Sequence, residues 1–217
     1  MIDHRHQINY RLVVLWALSL LVGAVFFFFL VVVPLAFASL NTGLLLLVVV
    51  SVIGLIGGAV TGLVIGLIQR AILPKWAPWK RLWILGSILG WAVGGAVGCL
   101  IIGLLQLAFF EYPKQGVDEY ISIMLGPIAA ALAGISVGLV QALYIKSERP
   151  SSRFWVIATA CGWILGGLIW AALVYLGPMA RDQEIYSFLF IPVVVGIAGL
   201  VTGYSMNVIL SWSEDNH

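Results

Sequence analysis

The chain has 217 residues, of which 62% are hydrophobic and 9% charged, with a formal net charge of +2. An average soluble domain carries about 25% charged residues, so the composition excludes a single water-soluble core. It points to a membrane protein, and the fold class expected is all-α.

Six apolar runs, at 12–33, 44–68, 82–110, 120–145, 154–177 and 185–211, contain no Asp, Glu, Lys or Arg. Each exceeds the ~20 residues that a helix rising 1.5 Å per residue needs to cross ~30 Å of hydrocarbon. The six runs therefore predict six transmembrane helices in a single integral membrane domain, 1–217.

The first run follows "HRHQINYR" and precedes "AFAS" at Ala36–Ser39, which together mimic a secretory signal. Its apolar stretch is longer than the ~7–15 residues of a signal core, so a retained first helix is expected. His4 and His6 stand on a chain end, as does His217, and are expected to be solvated, with no metal and no cofactor bound.

The second run places Gly54, Gly58, Gly62 and Gly66 at four-residue steps and is followed by Gln69 and Arg70. A column with this spacing forms a groove along one side of a helix, where a neighbouring backbone can approach closely, a glycine zipper. A phosphate-binding loop is excluded because no strand precedes the run and no suitably placed lysine follows it. A linker is excluded because unpaired backbone amides in hydrocarbon would each cost several kcal/mol.

The loop "LPKWAPWKRLW" then interleaves Lys75, Lys80 and Arg81 with Trp76, Trp79 and Trp83. Aromatic and basic residues in alternation suit the surface of an anionic leaflet. Trp76, Trp79, Lys80, Arg81, Trp83 and, by analogy, Trp155 are thus expected to be interfacial anchors; nucleic acid is not an expected partner.

The third run continues the four-residue spacing with Gly86, Gly90, Gly94 and Gly98 and carries Gln106 in its outer part. The fourth aligns Gly126, Ala130, Gly134 and Gly138 before Gln141; the fifth aligns Ala158, Gly162 and Gly166; the sixth holds Gly199, Gly203 and Asn207. Gln69, Gln106, Gln141 and Asn207 are the candidate polar contacts, serving either as hydrogen bonds between helices or as a ligand-binding ring of amides. Cys99 and Cys161 lie roughly 17 and 7 residues from the cytoplasmic ends of their spans, ~15 Å apart in depth. Bridged Cα atoms lie within ~7 Å, so no disulfide is expected and both read as small buried hydrophobes.

Self-comparison shows a repeat offset by 72 residues. "GLVIGLIQ" at 62–69 recurs as "GISVGLVQ" at 134–141, and "LGWAVGG" at 89–95 recurs as "CGWILGG" at 161–167. A partial third copy, offset by 65, turns Gly134 and Gly138 into Gly199 and Gly203 and Gln141 into Met206. The repeats, 54–103, 126–175 and partly 191–210, predict parallel two-helix hairpins. The first span shares Gly23 and a basic start with the second helix of each hairpin; it either completes a third hairpin with the sixth span or lies at an edge.

Placing the N-terminus in the cytoplasm puts Arg5, Arg11, Arg70, Lys75, Lys80, Arg81, Lys146, Arg149 and Arg153 inside and only Lys114 and Arg181 outside. By the positive-inside rule both termini are expected to be cytoplasmic.

The pattern of "GxxxGxxQ", a short basic turn and "W…GW..GG" resembles the repeated hairpins of uncharacterised multi-pass membrane proteins common in cyanobacteria, over about residues 54–205. The resemblance implies a bacterial plasma or thylakoid membrane; it brings no activity and no catalytic residues. The apolar runs hold no Asp, Glu, Lys, Arg or His, so ion-coupled transport and enzymatic chemistry are not expected. The leading expectation is a non-enzymatic accessory, scaffold or assembly component that contacts lipids and other membrane proteins or copies of itself. The alternative is a solute-binding or transport module for a small neutral or amphipathic molecule.

Overall fold

The computed structural model describes residues 9–32, 34, 44–75, 77–110, 117–145, 149–176 and 183–214. Among these residues the chain is entirely helical, with no strand. The elements are α1 (Tyr10–Phe27), a π-helical turn (Phe28–Val32), α2 (Leu44–Ile72), a 3-10 turn (Pro78–Arg81), α3 (Trp83–Phe110), α4 (Val117–Ala142), α5 (Arg149–Leu176) and α6 (Gln183–Glu214).

Five of the helices hold segments long and apolar enough to cross a membrane: Tyr10–Val31, Leu45–Ile72, Trp83–Ile101, Ser152–Ile169 and Pro192–Trp212. In α4 the apolar stretch among the described residues is the shorter Ala131–Ala142. The helices overrun several of the charge-free runs. α2 continues to Ile72 and so takes Gln69 and Arg70 into its last turns, while α5 starts at Arg149. α4 stops at Ala142, where Leu143 and Tyr144 close tighter backbone bonds to Val140 and Gln141.

Local chemistry sets the ends of α1. The side chain of Asn9 caps its start by accepting from the Leu12 amide at 3.1 Å, which satisfies one of the free donors of the first turn. Near its other end stands Pro34, which has no amide to donate to a preceding carbonyl, and the helix widens into the π turn before it.

Each helix packs on its neighbours in chain order, and α1 packs on both α2 and α6, so the six close into a ring. α1 therefore does not lie at an edge. A layer of Leu12, Trp16, Leu73, Trp83, Ile145, Trp155 and Leu210 gathers the start of α1, both interhelical turns and the end of α6 at one end of this ring. A second layer, containing Ile65, Trp91, Val137, Trp163 and Ala198, fills its middle.

Glycine determines how closely the helices approach. A β-carbon placed on Gly54, Gly58 or Gly62 would lie 2.4, 2.1 or 2.3 Å from the carbonyl oxygens of Gly95, Trp91 or Ser87 on α3. Gly66 faces Ser87 and Ile84 of the same helix. Around the ring, Gly90 and Gly94 face Val137 and Ala133 of α4, Gly134 and Gly138 face Trp163 and Thr159 of α5, and Gly162 and Gly166 face Ala198 and Val194 of α6. Gly199 and Gly203 meet Ala17 and Val13 of α1, which closes the circle. Gly86 takes the ring of Tyr144, whereas Gly98 meets only Ala133 at an ordinary 3.8 Å.

The outer face is apolar. Val14, Leu18 and Val25 on α1, Phe29 in the π turn and Leu45, Val48, Val52 and Ile56 on α2 are exposed, while Thr61, Gln69, Ser87, Gln141, Thr159 and Thr202 are buried. This arrangement inverts that of a water-soluble protein and suits a chain whose solvent is lipid. Both cysteines are free, and Cys99 is buried. Cys161 corrects the expectation for it: it is exposed, because one residue on a helix turns 100° and carries it off the face on which Gly162 packs.

Gly58→Ala must push α2 away from the Trp91 carbonyl, an overpacking that costs about 1–3 kcal/mol. A clear fall in melting temperature in detergent is expected. Gly196→Ala, at a position with nothing within 4 Å of the added carbon, leaves the melting temperature unchanged or raises it.

Candidate functional site

The most polar part of the described interior lies at the end of the ring where α2 turns into α3. Gln69, in the last turns of α2, is 2% exposed, and Gln141, in the last turn of α4, is 3% exposed. The indole Nε1 of Trp83 donates to Gln69 Oε1 at 2.9 Å. The same bond recurs one hairpin later, where Trp155 Nε1 donates to Gln141 Oε1 at 3.2 Å. Gln141 also donates through Nε2 to Ser87 Oγ of α3 at 3.1 Å, so one amide ties α4 to both of its neighbours.

The two tryptophans meet on the inside of the ring with centroids 5.5 Å apart and planes at 72°. Trp16 of α1 completes a triangle, 5.6 Å from Trp83 and 6.0 Å from Trp155. Edge and tilted contacts of this kind contribute about 0.5–1.5 kcal/mol each beyond area burial. The polar edges of Trp83 and Trp155 find partners in the amides, as buried indoles require. Below the triangle, the chain leaving α2 folds back through backbone bonds from Ala77 to Pro74 and from Lys80 to Ala77. The Lys80 ammonium donates to the Leu73 carbonyl, just past the end of α2, and a cation is favourable where helix carbonyls end.

Trp83 and Trp155 correct the expectation of interfacial anchoring. They are 0% and 2% exposed, with their rings turned into the core rather than toward headgroups. Arg81 is exposed and Lys80 is half-buried; Trp76 and the side chains of Trp79 and Gln106 lie outside the described residues, as do the terminal histidines. Asn207 stands apart from the two glutamines. Its Oδ1 accepts from the Asn9 amide at 3.2 Å, which joins the end of α6 to the start of α1. The four candidate amides thus divide: Gln69 and Gln141 share the tryptophan cluster, Asn207 closes the ring, and Gln106 is not described.

Two members of the cluster escaped the sequence reading. Trp16 precedes Gly23 by seven residues, just as Trp83 precedes Gly90 and Trp155 precedes Gly162, and that spacing was the available signal. Ser87 gave none, since its role depends on the rotamer of a residue 54 positions away. Among the described residues no three His, Cys, Asp or Glu stand together as metal ligands. What this arrangement does chemically is hold helices by hydrogen bonds in a place where water cannot compete for them.

Gln141→Leu strips the partner from both Trp155 and Ser87, and leaving buried groups unpaired costs about 1–3 kcal/mol. It is expected to destabilise more than Gln69→Leu in mixed-micelle denaturation. A double-mutant cycle of Gln69→Leu with Trp83→Phe should return a coupling of about 0.6–1.7 kcal/mol, the range found for membrane interhelical bonds.

Comparison of the chain with protein-family models, with curated proteins and with solved structures finds no match in any of the three.

Proposed function

We propose that the protein is a non-catalytic, six-span component of a larger membrane assembly, an accessory or scaffold subunit with both termini in the cytoplasm. The observation that carries this reading is the commitment of Gln69 and Gln141 to Trp83, Trp155 and Ser87. The buried polar groups of the cluster bind helix to helix, and what the chain offers its surroundings is a broad apolar exterior. The glycine columns do not add to this argument. Gly54, Gly58, Gly62, Gly66, Gly90, Gly94 and their counterparts are taken up by helices of the same chain, so they are not a surplus reserved for partners.

Six spans are supported by the 26 residues of α4, which at 1.5 Å per residue cover ~39 Å. A shared location for the two ends of the chain is supported by the layer that joins the start of α1 to the end of α6. The bias of basic residues toward that end makes it the cytoplasmic one, where Lys75, Lys80 and Arg81 would meet anionic lipid. The parallel hairpin reading is supported by the recurrence of the Gln–Trp bond at an interval of 72 residues. The resemblance to cyanobacterial multi-pass proteins suggests a bacterial plasma or thylakoid membrane.

A transport module for a small neutral or amphipathic molecule is the second reading. It is favoured by one observation, a buried Thr61 hydroxyl with no hydrogen-bond partner among the described residues.

Photo-crosslinking groups placed at the exposed Leu18 and Leu168, activated in native membranes, are expected to yield a discrete protein adduct. If only lipid adducts form, and native mass spectrometry shows a lone monomer, the scaffold reading fails. A saturably bound small molecule in the same spectra would replace it with the transport reading.

A further inference from the structure

The six seams of the ring are not equivalent. α2 and α3 are pinned by Trp83 on Gln69, α3 and α4 by Gln141 on Ser87, α4 and α5 by Trp155 on Gln141. α5 meets α6 where Gly166 faces the Val194 backbone, with a built β-carbon 2.6 Å from its carbonyl oxygen. α6 meets α1 where a β-carbon built on Gly199 would lie 2.7 Å from the Ala17 Cα, with the Asn9–Asn207 bond joining the same two helices. At the α1–α2 seam a β-carbon built on Gly23 would instead meet side-chain atoms, Cγ1 and Cδ1 of Ile65.

Two further features fall on that seam. Thr61 of α2, whose Cγ2 lies 3.5 Å from the β-position of Gly23, is 0% exposed. Its Oγ1 is the buried side-chain polar atom left without a partner among the described residues. Thr159 and Thr202, by contrast, return their hydroxyls to the Trp155 and Ala198 carbonyls at 2.8 and 2.7 Å. The positions matching Thr61 in α4 and α6 are Ala133 and Ala198, so the packing does not demand a hydroxyl there. Leaving one unpaired in the closed ring is costly.

The second feature is the π turn Phe28–Val32, which ends α1 and rests on Gly57 through Val31 and the Leu30 carbonyl. Such turns loosen the regular ladder and concentrate at moving or functional places.

We infer that the ring opens at the α1–α2 seam: α1 pivots on the Phe28–Val32 turn while it stays packed on α6, and the movement uncovers the Thr61 hydroxyl. The open state admits water to that hydroxyl, and the hydrogen bond it then makes offsets the lost Gly23–Ile65 contact. The inference goes beyond the scaffold reading and does not depend on it, since the movement belongs to the isolated chain.

In a Cys99→Ala, Cys161→Ala background, single cysteines are introduced by Thr61→Cys and Thr202→Cys, near-isosteric changes at two buried positions. In native membranes N-ethylmaleimide is expected to modify the first about tenfold faster than the second, as local opening of one seam requires. Indistinguishable rates overturn the inference. Spin labels on the exposed pair Leu18 and Leu168, across α1 and α5, should report two populated distances, and the pair Leu89 and Leu168, across α3 and α5, should report one. A single narrow distance for both pairs also overturns it, whatever the labelling rates.

Discussion

A carbonyl oxygen of one helix seated where its neighbour would carry a β-carbon is the contact on which this ring depends. Lipid tails are as apolar as leucine, so helices in a membrane gain little from hiding apolar side chains from their surroundings. They gain from dispersion, which falls away within a fraction of an ångström of the best distance. Gly54, Gly58 and Gly62 bring α2 to that distance from α3 along its length, and glycines or alanines repeat the device at the following seams. The ring results when such faces recur at successive seams from α2 round to α1, with Gly23 against the Ile65 side chain at the remaining one.

Close packing alone does not fix how far each helix slides along its neighbour. The tryptophan cluster supplies that constraint. An indole N–H must end on an acceptor, and in the interior of the ring Gln69 and Gln141 supply it. Sliding α3 against α2 by one turn, ~5.4 Å, would break the bond between Trp83 and Gln69. The glutamines thus act as registration marks, and Ser87 extends the same control across the seam between hairpins. The reading of the molecule as an assembly component follows from this division, with polar chemistry turned inward and an apolar exterior left for contacts.

Much of the fold was legible because lipid imposes so few solutions. Uninterrupted apolar runs had to become helices, and glycine at four-residue steps had to mark close-packed faces. The site was only half legible. Gln69 and Gln141 stood out as amides at the ends of apolar runs, yet Trp83 and Trp155 followed basic turns and carried the composition of interfacial anchors. Composition does not report the direction of a side chain. Helical phase does: Trp83 lies seven residues before Gly90 and therefore on the same face, which is the face that packs. Asn207 was grouped with the glutamines from its sequence position, but it lies one residue past the matching site and its side chain reaches the start of α1 instead. Cys161 shows the same sensitivity to a one-residue rotation. Ser87 and Thr61 gave no sequence signal, because their significance rests on what stands opposite them in other helices.

The bond from Asn9 to Asn207 joins residues 198 positions apart in the chain. Helices enter the membrane in the order of synthesis, so α1 waits through the making of four others before its α6 partner exists. During that interval Trp16 and the face of α1 that meets Gly199 and Gly203 are exposed to lipid or to whatever assists insertion. The hairpin of α2 and α3 can pack as soon as it is made, and the hairpin of α4 and α5 can dock onto it. The ring therefore closes only once α6 is made: truncation before α6 would leave α1 with one flank unpaired, and the first of the six helices would be the last to complete its contacts.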